Sequence, residues 1–328
     1  MTTSVESFPV LIESRPESAA PLSGVVLRAR SGFYTVETDG GPIECRLRGV
    51  LKRERQGSDL AVIGDRVRLT RLDDRTGIIE AVEARRSRFS RKQPGPRGTW
   101  REDVLVANLD QVLIVFACAQ PMPHLRMLDR FLLVADYNEV DALIVVNKVD
   151  LCGSSSAADT FGVYRDIGYR VEYVSARAGA GIQALRHQLA GRVSVVVGPS
   201  GVGKSTLLNA IQPGLRLDTG EVSQALHKGR HTTTEAQLHR LETVEQGTDE
   251  RPGYLADTPG LRELGLFRIP ESELAHCFRE MRPFLGPCAF NDCAHLTEPR
   301  CAVRDAVAAG AVPPERYDSY RRLRAREG

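Results

Sequence analysis

Eight consecutive residues, Gly198-Pro199-Ser200-Gly201-Val202-Gly203-Lys204-Ser205, carry the most specific chemistry in this 328-residue sequence. They fit the pattern G-x-x-x-x-G-K-[ST]. The apolar run Val193–Val197 precedes them and the helix-forming stretch Lys204–Ile211 follows, which is the strand–loop–helix context the pattern requires. The glycines let backbone N–H groups wrap phosphate oxygens, and the helix N-terminus adds positive potential. Lys204 is expected to reach the outer phosphates and offset charge during phosphoryl transfer, and the Ser205 hydroxyl to ligate Mg²⁺. The chain has only 5 lysines against 39 arginines, and Lys204 is one of the five.

A second lysine lies in Asn147-Lys148-Val149-Asp150, at the end of the apolar run 143–146. Here the Asp150 carboxylate can accept from both N1–H and the exocyclic amine of guanine. Adenine lacks that donor pair and would leave a buried acceptor unpaired. Asn147 is expected to brace the purine edge, and the Lys148 stem to cover the base. Val174-Ser175-Ala176 ends the next apolar run and suits a loop whose backbone N–H meets guanine O6. Asp257-Thr258-Pro259-Gly260 ends a further strand, as an acidic residue near Mg²⁺ and a glycine near the γ-phosphate should. Between the two phosphate motifs lies Gly229-Arg230-His231-Thr232-Thr233-Thr234. One of Thr232, Thr233 and Thr234 is expected to complete the Mg²⁺ shell in a segment that orders around the γ-phosphate.

The residues after Gly260 are Leu261, Arg262 and Glu263, so no glutamine follows that could hold an attacking water. His231 is the replacement candidate, because an imidazole orients water or takes a proton near neutral pH. A packing role for His231 in the folded segment is the alternative.

Cys288, Cys293, His295 and Cys301 supply three thiolates and an imidazole within fourteen residues. Four protein ligands leave no open position, so the expectation is one structural Zn²⁺ in tetrahedral coordination. Unpaired cysteines beside a surface histidine are the alternative. Cys45, Cys118, Cys152 and Cys277 are read as core or incidental residues. An odd total of seven cysteines argues against a disulfide scaffold.

The elements that must position these groups follow from patterning. Residues 1–21, rich in Ser, Pro and Glu, are expected to be a disordered tail. Five short β-patterned runs follow, at 24–27, 33–37, 43–47, 66–69 and 77–82. They predict a small barrel, an oligonucleotide-binding (OB) fold over 22–92, with a linker at 93–102. From 103 to 268, near-continuous apolar runs alternate with helices near Leu125–Tyr137, 181–189 and Lys204–Ile211, which indicates a parallel sheet covered on both faces. Residues 269–328 are a small α-rich zinc domain with a helical tail. The chain is thus a multidomain α/β protein, and its motif order is unusual. The guanine motif and Val174-Ser175-Ala176 precede the phosphate loop, so the nucleotide domain is circularly permuted. Its former termini would be joined through Ala190-Gly191-Arg192.

Composition narrows the class. Hydrophobic residues are 42% and charged residues 26%, as in globular proteins, and no apolar run approaches the ~20 residues of a membrane helix. The N-terminus lacks the basic and apolar regions of a secretory signal, so a reducing cytoplasm is expected. Net charge is only +2, but residues 22–101 hold 18 Lys/Arg against 10 Asp/Glu. That localised positive charge, including Arg85, Arg86, Arg88, Arg91 and Lys92, suggests a polyanionic partner. A second concentration lies at Arg316, Arg321, Arg322, Arg324 and Arg326.

Taken together, the permuted motifs, CAFNDCAH…EPRC and the closing Arg316-Tyr317-Asp318-Ser319-Tyr320 resemble the ribosome small subunit-dependent GTPase A family (RsgA, also called YjeQ) over residues 22–325. The resemblance implies an OB-fold domain, a permuted GTPase and a zinc domain. It also implies GTP hydrolysis to GDP and phosphate, stimulated by the small (30S) ribosomal subunit during its late maturation, with contact to 16S rRNA. It carries nucleotide roles over to Asn147, Lys148, Asp150, Gly198 through Thr206 and Asp257, and the motifs themselves add Val149, Ser175, Ala176 and Gly260 to the expected GTP-binding residues. Magnesium roles fall to Ser205 and Thr232–234, and zinc roles to Cys288, Cys293, His295 and Cys301. A cytoplasmic monomer with no membrane partner is expected. Two other readings remain open: a nucleic-acid scaffold holding nucleotide structurally, and an ATP-using enzyme with an RNA domain.

Overall fold

The computed structural model describes residues 22–49, 51, 61–94, 100–215, 237–242, 252–257 and 269–325. The tail at 1–21 therefore lies outside the described residues.

Strand β1 (Leu22–Arg30) is followed by β2 (Phe33–Thr38), β3 (Gly41–Leu47), β4 (Arg66–Arg71) and β5 (Thr76–Val82). Alternation builds the interior: along β3, Ile43, Cys45 and Leu47 are buried while Glu44 and Arg46 face out. The strands run in the order β1-β2-β3-β5-β4, with β3 and β5 parallel and β1 closing back on β4. This is the five-stranded OB barrel that the turn spacing predicts.

A hairpin of β6 (Arg88–Pro94) and β7 (Trp100–Ala107) follows, paired from Arg88↔Ala107 to Pro94↔Trp100. Within the stretch expected to be a linker, residues 93–94 and 100–102 are therefore paired strand, and 95–99 lie outside the described residues. Charged and polar residues such as Arg91, Lys92, Arg101 and Glu102 concealed the strands. Phe89 and Val106 are fully buried and join the core of the next domain.

That domain is built on β8 (Gln111–Ala117), β9 (Asp141–Asn147), β10 (Arg170–Tyr173), β11 (Val193–Val197), β12 (Gln237–Arg240) and β13 (Tyr254–Asp257). Their order is β10-β9-β8-β11-β13-β12, parallel except for β12. All seven residues of β8 are buried because the strand is covered twice. Ile114 and Phe116 pack towards α1 (Leu125–Tyr137) and α2 (Ser154–Asp166). Leu113 and Val115 pack towards α3 (Ile182–Leu189) and α4 (Lys204–Ile211).

The C-terminal domain holds α5 (Glu271–Leu274), two 3₁₀ turns, α6 (Ala302–Ala308) and α7 (Pro314–Arg324). Its core of Phe278, Met281, Val303, Val312 and Tyr320 includes Leu133 from α1. Beside that seam, Arg316 is 1% exposed and donates to Asp129 of α1 and to Glu280, each at 2.6 Å. Arg279 adds a bond to Asp136, one α1 heptad further on, at 2.7 Å. Arg316 thus leaves the surface group in which its sequence neighbours placed it. Among the described residues, no helix is long and apolar enough to cross a membrane.

Candidate functional site

The parallel strands β9, β10, β11 and β13 end on one edge of the sheet, so Asn147, Val174-Ser175-Ala176, the phosphate loop and Asp257 converge there despite their permuted order. The backbone makes the loop possible at two points. Gly198 (φ +142°) is so close to β8 that a Cβ would lie 2.1 Å from the Val115 carbonyl oxygen. Gly203 (φ +90°) caps α4, and a Cβ there would lie 2.6 Å from the Asn147 amide nitrogen.

Side chains stitch the two motifs together. Asn147, 1% exposed, donates from Nδ2 to the Val202 carbonyl at 3.0 Å and accepts the Ala176 N–H on Oδ1 at 3.1 Å. Lys148, held at φ +63°, donates to the Gly201 carbonyl at 2.7 Å and also to the Gln120 carbonyl. The Ser175 hydroxyl donates to Asp150 Oδ1 at 2.5 Å, which fixes that carboxylate. Lys204 donates to the Gly198 and Pro199 carbonyls at 2.8 and 2.6 Å, so its ammonium spans the loop from within. Gln120 entered through its backbone carbonyl, a role no side-chain pattern signals.

The structure leaves part of the sequence-based site undescribed. His231, Thr232, Thr233, Thr234 and Gly260 lie outside the described residues, and Asp257 is described only in its backbone.

Cys118 is buried in the core of the nucleotide domain and Cys152 packs against it, as their reading as core residues expects, and their sulfurs also pair as a disulfide. Cys118 follows β8 and Cys152 follows the Asn147–Asp150 motif of the neighbouring β9, so strand adjacency brings together sulfurs 34 residues apart. Cys45 and Cys277 are buried free thiols, and burial pushes both up, Cys45 to about 11 and Cys277 to about 12.

In the C-terminal domain, one ligand atom from each of Cys288, Cys293, His295 and Cys301 lies within 4.8 Å of all the others. His295 Nδ1 is 3.6 Å from Cys288 Sγ and 3.4 Å from Cys301 Sγ, and those sulfurs are 3.9 Å apart. A tetrahedron with metal–sulfur bonds of ~2.3 Å and a metal–nitrogen bond of ~2.1 Å has edges of roughly 3.5–3.8 Å. The residues therefore fit a four-coordinate metal ion closed to substrate. Outer contacts hold the ligand loop. Tyr317 and Tyr320 donate to the carbonyls of His295 and Ala294 at 2.6 and 2.7 Å. Backbone N–H groups of Glu298 itself and of Ala294, Leu296 and Thr297 hold the Glu298 carboxyl down at about 2.

The basic cluster divides. Arg85 makes a two-pronged bond to the fully buried Asp65 at 2.8 and 2.9 Å, a structural role that removes it from a polyanion-facing group. Arg86 is exposed and 3.4 Å from Asp110. The side chains of Arg91 and Lys92 lie outside the described residues.

A phosphate loop and a guanine-type motif at the ends of parallel strands β11 and β9, on either side of β8 and in reversed chain order, define a circularly permuted P-loop GTPase. An OB barrel precedes it and a Cys3His domain follows. The chain belongs to the RsgA GTPase family, whose model matches residues 82–267, and the RsgA N-terminal domain model matches residues 23–79. It is 47% identical over 305 residues, 92% of this chain and 96% of the relative, to the small ribosomal subunit biogenesis GTPase RsgA of Gemmatimonas aurantiaca. It is 44% identical to the protein of that name from Moorella thermoacetica, covering 91% of this chain and 95% of the other. Among solved structures it is similar to YjeQ from Thermotoga maritima, with TM-score 0.74, 33% identity and coverage of 93% and 98%. It is also similar to YloQ, a circularly permuted GTPase, with TM-score 0.71, 28% identity and coverage of 95% and 96%.

Proposed function

We propose that the chain hydrolyses GTP to GDP and phosphate in the cytoplasm while engaged, as a monomer, with the maturing small ribosomal subunit and its 16S rRNA. The observation that carries the nucleotide part is the stitching of Asn147 and Lys148 to the carbonyls of Val202 and Gly201. It makes base recognition and phosphate recognition one rigid unit. Relatives named small ribosomal subunit biogenesis GTPase support the ribosomal part.

In this reading Asp150 accepts from the guanine N–H groups. Ala176, whose N–H already serves Asn147, shares it with O6. Val149 and Gly198 through Thr206 complete the nucleotide shell. Lys204 stabilises the developing phosphate charge, and Ser205, Asp257 and one of Thr232–234 hold Mg²⁺ directly or through water, with Gly260 at the γ-phosphate. Cys288, Cys293, His295 and Cys301 hold one structural Zn²⁺, the ion suited to closed thiolate and imidazole ligation. The exposed arginines of 22–101 and the tail contact rRNA phosphates, which makes subunit binding weaken with salt.

The test is turnover of GTP against ATP, with and without purified small subunits. Guanine-selective hydrolysis that rises with subunits is the expected result. Turnover of both nucleotides alike, or indifference to subunits, overturns it. His231 is the proposed water-orienting group. His231→Ala should keep GTP and subunit binding but lose the stimulation, and full stimulation of that variant would move the role to another group.

A further inference from the structure

The OB barrel and the GTPase sheet are one continuous sheet, because β1 of the barrel pairs antiparallel with β12. The pairing falls on one row of residues. Arg28 of β1 stands opposite Gln237 of β12, and Gln237 stands opposite Asp257 of β13. The barrel therefore reaches the strand that ends in the proposed magnesium carboxylate through a single intervening strand of four residues.

Side chains from the barrel hold that strand at both ends. At one end the Arg28 guanidinium donates to the Gln237 side-chain carbonyl. At the other, Arg240 Nη1 donates to Glu37 Oε1 at 2.7 Å, and the Glu37 side chain is only 12% exposed. Glu37 itself lies on β2 opposite Val25, so it belongs to the closed barrel and cannot drift with β12. Between the two ends only Leu238 is buried in the core.

A short strand with one core side chain has little to fix its register, and a slip of one residue inverts every side chain it carries. Without β1, β12 would be an exposed edge of the GTPase sheet. Charge-assisted bonds at both ends supply the missing register. Every residue of β12 is paired with β13, from Gln237↔Asp257 to Arg240↔Tyr254, so register imposed on β12 is passed to Asp257.

We propose that Arg28 and Glu37 of the barrel are positioning residues for the magnesium end of the nucleotide site, acting through β12 on Asp257. This rests on the nucleotide reading given above. The barrel is then part of the apparatus that sets the metal-binding geometry as well as an RNA-binding module. Whatever engages the β1–β2 face can alter that geometry without touching nucleotide.

The test uses the full chain with Glu37→Gln, Glu37→Arg, Arg240→Glu and the Glu37→Arg/Arg240→Glu swap. Release of a fluorescent GDP analogue is followed as Mg²⁺ is titrated, alongside kcat and KM for GTP. Loss of the pair should raise the Mg²⁺ concentration that half-maximally slows release by about tenfold, and lower kcat similarly, with KM within about threefold. The swap should recover most of the Mg²⁺ response, which a general loss of barrel stability would not allow. Glu37→Gln keeps shape and solubility if the reversals unfold. An unchanged Mg²⁺ midpoint in all folded variants, or a swap no better than the single reversals, overturns the inference alone. Failure of the unaltered chain to bind guanine nucleotide overturns the nucleotide reading beneath it.

Discussion

Asn147 and Val202 join the guanine motif to the phosphate loop: the Asn147 amide, at the end of β9, donates 3.0 Å to the Val202 carbonyl in the phosphate loop. The two residues are 55 apart in the chain, and the guanine motif comes first. Adjacency through β8 and β11 restores in space what the chain order separates.

Asn147→Ala removes that bond and the acceptor of the Ala176 N–H, leaving two backbone groups in a buried loop without partners. A buried polar group left unpaired costs about 1–3 kcal/mol. Guanine nucleotide affinity should fall roughly ten- to hundredfold by calorimetry. An affinity within twofold of the parent would mean that these bonds do not position the base loop.

Asp150→Asn tests specificity where the former tests geometry. One acceptor oxygen becomes a donor facing the guanine N–H groups, while the Ser175 hydroxyl can still donate to the remaining oxygen. GTP affinity should fall ~10²-fold or more, and ATP should become a better competitor. Undiminished preference for GTP over ATP would remove Asp150 from base recognition.

Lys204→Ala and Ser205→Ala separate binding from chemistry. The lysine ammonium sits inside the loop, on the carbonyls of Gly198 and Pro199. Its loss should cut kcat by ~10²-fold or more, since charge stabilisation is the main catalytic term in phosphoryl transfer. Serine loss should raise the Mg²⁺ requirement. Normal turnover in both variants would place hydrolysis at some other site.

Metal analysis of the purified chain should find about one zinc, released by a chelator at neutral pH with loosening of the C-terminal domain. Cys293→Ser should lose the metal while leaving GTP affinity within about threefold, because the Cys3His cluster and the phosphate loop share no ligand. Zinc retained in full by that variant would require another ligand set.

The elements that carry strong local signals were legible in the sequence. The OB strands alternate cleanly, β8 is a continuous apolar run, and the phosphate loop has a pattern of fixed spacing. What escaped depends on partners far away in the chain. Helix α2 has a weak stripe in which only Ala157, Phe161 and Tyr164 are buried. The four residues of β12 contain one core side chain, so only the neighbours β1 and β13 make it a strand. The hairpin β6–β7 looks like a linker because its strands are charged. The Cys118–Cys152 bridge follows from strand order, which no cysteine count supplies. Arg85 and Arg316 counted as surface charge until Asp65, Asp129 and Glu280 were seen opposite them.

Arg316 makes the last of these a measurable claim. It is 1% exposed and faces two carboxylates, Asp129 and Glu280, which are also buried. Burial alone would pull its pKa down, but the two carboxylates more than offset this and hold the guanidinium charged. Tyr164 and Ser319 also donate to Asp129, and even so that carboxylate needs the arginine. Arg316→Ala would leave two buried acids without a cation, and removing one partner of a buried pair costs about 3–5 kcal/mol. Arg316→Lys keeps the charge but cannot reach both carboxylates with a planar fork, so it should recover only part. The seam joins α1 to the metal domain, so the loss should appear as a lower denaturant midpoint for the C-terminal domain. A variant as stable as the parent at neutral pH would show that the triad contributes little beyond the apolar packing of Leu133, Phe278 and Tyr320.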